Sequence, residues 1–240
     1  HLLSRRQRQM CIRDRDDIAW FLNIRGNDVH CCPVVLSYLV MTDKELRLFV
    51  NETVFSEEIR ANLEADGVEI YPYNDVYSYV RTIDADQKVL LSKANVNSRL
   101  VSNIPSEVTI LDEENLTLLP KAIKNETEVE NERIAHIKDG VAVTRFIRWM
   151  KETVGKEKIT ELSAAKKLYQ FRSEQENFLG DSFDPIIAYG KHAAIVHYSA
   201  TEETDIPFEA RGMVLADTGG HYLEGSTDIT RTVVLGPVTD

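Results

Sequence analysis

Cysteine is scarce in this chain: three in 240 residues, two of them the neighbours Cys31 and Cys32. That number cannot build a disulfide framework, and it fits a reducing, cytoplasmic setting. Long hydrophobic runs are missing as well. No apolar stretch approaches the ~18 residues that would span a bilayer. Positive charge is the third shortage, with 28 Lys and Arg against 39 Asp and Glu and a net charge of −11. Five arginines fall within the first fifteen residues, so the remainder carries 23 basic against 38 acidic groups, or −15. A body that acidic excludes nucleic-acid or anionic-membrane binding through a broad basic face. Small-molecule and peptide substrates stay open. No glycine-rich phosphate loop follows an apolar run, so a nucleotide site has no support. Neither a short-period repeat nor a low-complexity tract is present. What remains, 43% hydrophobic and 28% charged, is the composition of a globular protein.

Residues 1–15 are basic, lack a clear period and differ in composition from the rest of the chain. They read as a non-native leader and are set aside from the fold. From Asp16 to Leu119 strand and helix signals alternate, which argues for an α/β domain. Asp16–Arg25 suits a short helix or turn. Val34–Met41 and Leu46–Val50 are apolar runs joined by a turn, a hairpin signal. Phe55, Ile59 and Leu63 have helical spacing, with Ser56 as N-cap and Gly67 as stop. Further strands are expected at Val68–Tyr71, Lys88–Ser92 and Val108–Leu111. Between them lie a helix that Asn74 can cap, burying Val76, Val80 and Ile83, and a short helix at Asn95–Asn103.

Composition changes near Leu119-Pro120, so a second domain is placed at 120–240. Asn125 with Glu128 is a capping-box pattern and starts a long helix to Val154. Its apolar stripe is expected at Ile134, Ile137, Val141, Phe146, Ile147, Met150 and Val154. Thr160 caps a second helix, Glu161 to about Asn177, turning Leu162, Ala165, Leu168, Tyr169 and Phe171 inward. The period then becomes strand-like. Ile186–Tyr189 and Ala194–Tyr198 read as a hairpin about Gly190-Lys191, with strands around Asp217 and Asp228 after it. Two helices on an antiparallel sheet make an α+β layout.

The chemistry concentrates in Met213–Leu235. Asp217 ends an apolar run, Gly219-Gly220 and Gly225-Ser226 break the chain, and Asp228 opens a β-branched segment. Each aspartate alone has a plain structural reading, one as a turn residue satisfying backbone N–H groups and one as a strand-entry residue. Together, two carboxylates on neighbouring strands repel, and a divalent cation between them resolves that repulsion. Their oxygens suit ions such as Mn²⁺, Co²⁺ or Zn²⁺. Thr230 and Thr232 share the Asp228 face and can support the ligands. His197 lies in the apolar Ala193–Tyr198 run. It is either a satisfied core histidine or a group that contacts substrate. His221 ranks below it, and His30 and His192 read as loop residues. Cys31-Cys32 has no partner at metal spacing.

The segments Ala194–Tyr198, Leu215–Gly219 with Tyr222, and Asp228–Thr232 resemble the metal-dependent Xaa-Pro aminopeptidases of pita-bread fold, in their longer cytosolic form. Asp17–Trp20 with Arg25–Asp28 and Pro33, and Ile134–Asp139, extend the resemblance upstream. It implies a creatinase N-terminal-like α/β domain leading into the first half of a pita-bread catalytic domain. It also implies that Asp217 binds one metal ion, that Asp228 bridges two, and that His197 contacts the substrate. The ions are expected to be manganese, with zinc and cobalt as alternatives. The implied substrate is a peptide with proline second, and the full-length enzyme is expected to be a cytoplasmic homodimer. The family takes one His and two Glu from further along the chain. The 240 residues therefore read as a central portion, inactive alone. A prolidase-like dipeptidase and a non-enzymatic protein-binding module of the same fold are the alternatives.

Overall fold

The computed structural model describes residues 8–12 and 15–238, with side chains described from Asp16 onward. The chain divides into two compact units, His1–Ile123 and Lys124–Asp240.

The first unit contains β1 (Arg8–Ile12), α1 (Arg15–Phe21), β2 (Ser37–Met41), β3 (Leu46–Val50), α2 (Glu57–Ala65), β4 (Val68–Pro72), α3 (Val76–Tyr79), β5 (Lys88–Leu91), α4 (Ser98–Asn103), β6 (Thr109–Asp112) and α5 (Leu118–Ala122). Its strands form one mixed sheet in the order β4-β3-β2-β1-β5-β6. β2 pairs antiparallel with β3, while β3–β4, β1–β5 and β5–β6 are parallel. Both faces are covered, which explains why Tyr38–Met41, Leu48–Val50 and Val89–Leu91 are apolar runs rather than alternating. Tyr38, Val40, Phe49, Val89 and Leu91 pack with Val76, Val80 and Leu100 on one face. Leu39, Leu48, Val50 and Leu90 pack with Ile18 and Leu63 on the other.

The fold includes part of the opening segment that its composition places outside it. Its residues 8–12 form β1, antiparallel to β2 and parallel to β5. Without β1 the facing edges of β2 and β5 would carry unpaired backbone groups inside the sheet. The rest of that segment, residues 1–7 and 13–14, lies outside the described residues. The cap read at Ser56 is present, its Oγ accepting from Ile59 N at the start of α2. The short helix expected from Asn95 begins at Ser98, where Asn97 Oδ1 accepts from Leu100 N. The α3 helix begins without a side-chain cap, so Asn74 does not play that part.

The second unit contains α6 (Glu126–Thr153), α7 (Glu161–Ser173), β7 (Phe178–Asp181), β8 (Ile186–Tyr189), β9 (Met213–Thr218), β10 (Gly220–Tyr222) and β11 (Ile229–Val234). Asn125 and Glu128 form the anticipated capping box, and Thr160 forms another with Ser163. Helices α6 and α7 pack over the sheet β11-β9-β8, burying Phe146, Met150, Leu168, Ile187, Val214, Ala216 and Val233. β9 pairs antiparallel with both β8 and β11. β7 and β10 pair separately as a two-stranded ribbon.

Two details of the helices differ from the periodicity reading. The buried stripe of α6 runs through Ala135, Asp139, Ala142, Val143, Phe146 and Met150, whereas Ile137 and Val141 are exposed. On α7 the buried residues are Glu161, Ala164, Leu168, Phe171 and Arg172, and Tyr169 is exposed. Both stripes contain charged residues, which a hydrophobic pattern cannot register. The expected hairpin about Gly190 does not form either. Residues 190–194 make a 3-10 turn, and β8 takes β9 as its partner instead.

In the first unit, Asp17 on α1 is 1% exposed. Thr117 Oγ1 donates to its Oδ2 at 2.7 Å, Asn115 Nδ2 donates to the same atom at 3.4 Å, and Lys121 forms an ion pair with Oδ1. Burial alone would raise this carboxyl, but the bonds from Lys121 and Thr117 outweigh it and hold the group below its ordinary value. Its stabilising effect is therefore present above the unfolded value of about 3.9 and is lost as pH falls through the lower folded value. Asp17→Asn should cost about 1–3 kcal/mol at neutral pH. The gap between wild type and variant in urea midpoint should close as the pH is lowered below about 4.

Candidate metal centre

Strand β9 lies between β8 and β11, and its residues alternate between two faces. Val214, Ala216 and Thr218 point to the core and are buried. Asp217 points the other way and is half-buried. In register, Asp217 stands opposite Thr230 on β11 and opposite Ile186 on β8. The Thr230 hydroxyl donates to Asp217 Oδ1 at 2.7 Å, which fixes one oxygen of the carboxylate and leaves Oδ2 available.

Asp228 precedes β11 and is exposed. The bond from Thr227 N to Gly220 O continues the β9–β11 register past the end of the named strands. By alternation Thr227 faces the core, and Asp228 falls on the face of Thr230 and Asp217. Asp217 and Asp228 are thus diagonal neighbours on one face, a spacing at which both side chains can reach a common cation. Gly219 makes this possible. A Cβ there would lie 2.0 Å from Thr227 O and 2.1 Å from Ser182 Oγ, so only glycine lets the two segments approach.

Behind that face sits a buried ion pair that the sequence reading missed. Arg172 and Asp139 are both fully buried. Arg172 Nε donates to Asp139 Oδ1 at 2.7 Å and Nη2 to Oδ2 at 3.1 Å. The same guanidinium donates to Thr218 Oγ1 and to Gly219 O, each at 3.0 Å, and to Asp181 Oδ1 at 3.4 Å. Asp139 also accepts from Thr227 Oγ1 at 2.7 Å and from Tyr222 Oη at 3.1 Å. Thr227 Oγ1 in turn accepts from Gly220 N at 2.9 Å. Arg172 and Asp139 together hold the residue after Asp217 and the residue before Asp228. The only sequence signal was a charged residue in the buried phase of each helix. Burial pushes the nearby Asp181 carboxyl up, and the positive charge of Arg172 opposes that without reversing it.

The candidate histidines are dispersed. His197 is exposed in a turn with φ 55°, a left-handed conformation that costs an L-residue about 1–2 kcal/mol. It is not in a strand as expected, because Ile195 and Val196 beside it are exposed and the run has no sheet face to bury. His221 lies on β10 with Nδ1 2.6 Å from Ser226 Oγ, within its own turn. His192, read as a loop residue, contacts the buried carboxylate of Glu161 at 3.0 Å. The structure thus brings Asp217, Asp228 and Thr230 to one face and places His197 on a separate turn.

A chain with this pairing of a covered mixed sheet and a helix-backed antiparallel sheet falls in the creatinase-type class of metallohydrolase folds. Residues 1–128 match the creatinase/prolidase N-terminal domain, so the chain belongs to that family, and residues 130–240 match metallopeptidase family M24. It is 38% identical to Xaa-Pro aminopeptidase 1 of Dictyostelium discoideum over 96% of its own length and 37% of that protein's. It is 34% identical to Xaa-Pro aminopeptidase 2 of Sus scrofa, over 92% of this chain and 34% of the other. Among solved structures, the X-prolyl aminopeptidase of Caenorhabditis elegans, described as a cytosolic enzyme with a di-nuclear active site, superposes with a TM-score of 0.89 at 32% identity. That likeness covers 95% of this chain and 38% of that one. The prolidase of Pyrococcus furiosus, at 19% identity and a TM-score of 0.65, shares the fold. The chain thus spans less than two-fifths of the length of these Xaa-Pro aminopeptidase relatives. Among the described residues no helix is long and apolar enough to cross a membrane.

Removing one member of the buried pair leaves the other uncompensated. Arg172→Met should destabilise the second unit by about 3–5 kcal/mol in urea unfolding, and joint replacement of Arg172 and Asp139 by apolar residues should cost less than that single change. Gly219→Ala should cost a further, separate ~1–3 kcal/mol by overpacking.

Proposed function

We propose that this chain supplies two metal ligands and a substrate contact to a dinuclear metallo-aminopeptidase that releases the N-terminal residue of peptides with proline second. The observation that carries the reading is the register of β9 and β11, with Asp217 held by Thr230 and Asp228 on the same face. The donor set fits the implied ions. Two carboxylates on one face, with a hydroxyl orienting the first, offer the oxygen ligands that hard and borderline divalent cations take. Without a cation these like charges would repel at short range.

In this reading Asp217 would hold one divalent ion, and Asp228, on the same face, would be a ligand common to both. The chemistry that bound divalent ions supply in such a site is a nucleophilic water at neutral pH. The protein's own part is positional. Thr230 fixes the Asp217 carboxylate, and Arg172 with Asp139 fixes the backbone on which both aspartates ride. His197 offers an imidazole to the peptide from the turn beyond β8. Manganese is the proposed ion, with zinc and cobalt as alternatives; the proposed setting is cytoplasmic and the proposed assembly a homodimer. The relatives named as Xaa-Pro aminopeptidases support this over a dipeptidase, since the prolidase likeness is one of fold.

The test uses a form of the protein long enough to span its relatives. Asp217→Ala and Asp228→Ala should each lower bound divalent metal per chain and reduce cleavage of Xaa-Pro peptides by at least about a hundredfold. Unchanged metal content in both variants would contradict the metal site. Cleavage confined to Xaa-Pro dipeptides would point to the dipeptidase instead.

A further inference from the structure

Glu161, the first residue of α7, is a carboxylate with no exposed surface. A charge in such a place is tolerated when its lone pairs are met. Here the donors come from one short stretch of chain. Tyr189 N donates to Oε1 at 2.8 Å, and the Tyr198 hydroxyl donates to Oε2 at 2.7 Å. His192 Nδ1 lies 3.0 Å from Oε1 and 3.1 Å from Oε2. The His192 ring also packs against the Tyr198 ring with centroids 4.6 Å apart. A single carboxylate therefore holds the beginning, the middle and the end of residues 189–198.

The part of that stretch left unheld is the part that faces outward. Val196 is 84% exposed, and His197 is exposed in its left-handed conformation. Strained non-glycine backbone persists where the surroundings over-determine it, and such strain clusters at functional sites. Tyr198, the residue immediately after His197, is the anchor bonded to Glu161. Tyr189 closes β8, the strand whose Ile186 stands opposite Asp217. The same carboxylate thereby ties the His197 turn to the strand that pairs with the proposed metal ligand.

We propose that Glu161 is a positioning residue: acting through Tyr198 and His192, it sets the turn that presents the His197 imidazole to the peptide substrate. This rests on the reading of His197 as a substrate contact.

Two measurements test it. The first needs neither metal nor turnover. In the 240-residue chain, NMR of the imidazole signals of the six histidines reports on His197 directly. Tyr198→Phe removes one hydroxyl and keeps the ring, and Glu161→Gln keeps the shape of the side chain. Each should shift or broaden the His197 signals while leaving those of His136 in place. If Glu161→Gln does not fold, Tyr198→Phe carries the test alone. An unchanged His197 signal overturns the proposal. The second uses the long form of the protein and a peptide with proline second. Tyr198→Phe should lower kcat/KM by roughly 10- to 100-fold with bound metal unchanged. In a His197→Ala background it should cost nothing further. An equal cost in both backgrounds overturns the proposal, because Glu161 would then act elsewhere. Failure of the aminopeptidase reading is separate and would appear as unchanged metal in the Asp217 and Asp228 variants.

Discussion

The buried pair of Arg172 and Asp139 is the constraint on which the second unit depends. Two full charges removed from water must satisfy one another and every remaining donor and lone pair. The pair does so by recruiting the chain around it: Thr218, Gly219, Thr227, Tyr222 and Asp181. Of these, Thr218 and Gly219 follow Asp217 and Thr227 precedes Asp228. The electrostatic need of the core and the geometry of the candidate site are therefore met by the same bonds. Five donors in a rigid planar fork make arginine, and not lysine, the group able to reach so many partners at once.

The two faces of one sheet thereby divide the labour. The inward face of β9 and β11 is packed by Val214, Ala216 and Val233 and pinned by the ion pair. The outward face carries Asp217, Thr230 and Asp228. A site built on regular strands, with its neighbours locked from behind, is held more tightly than one built on loops. His197 is the contrast. It stands on a turn, and its restraint comes from the separate network of Glu161, Tyr198 and His192. The face is thus pinned by one buried charge network and the turn by another, and the bond from Tyr189 N to Glu161 links the second to β8.

Much of this was legible in the sequence. Capping chemistry placed the starts of α2, α6 and α7, because a cap is a local event involving residues three apart. The alternation of strand and helix marked the first unit, and the two aspartates separated by glycine breaks marked the face of the sheet that they share. The misreadings have a common cause. Ala194–Tyr198 looks like a strand by composition, yet a strand requires a partner, and β9 already has β8 and β11. The inner faces of α6 and α7 were misphased because Asp139, Glu161 and Arg172 look like solvent-facing residues until their long-range partners are known. His192 was passed over for the same reason. The composition of β1 differs from that of the body, yet pairing is decided by backbone groups that composition does not report.

The place of β1 has a consequence for the order of assembly. β2 and β3 are joined by a short turn and can pair early as a hairpin. The parallel contact of β1 with β5, where Gln9 meets Val89, must wait until the intervening chain has been made and its loop entropy overcome. The middle of the first sheet therefore closes late, and during synthesis the inner edge of β2 depends on how soon β1 reaches it.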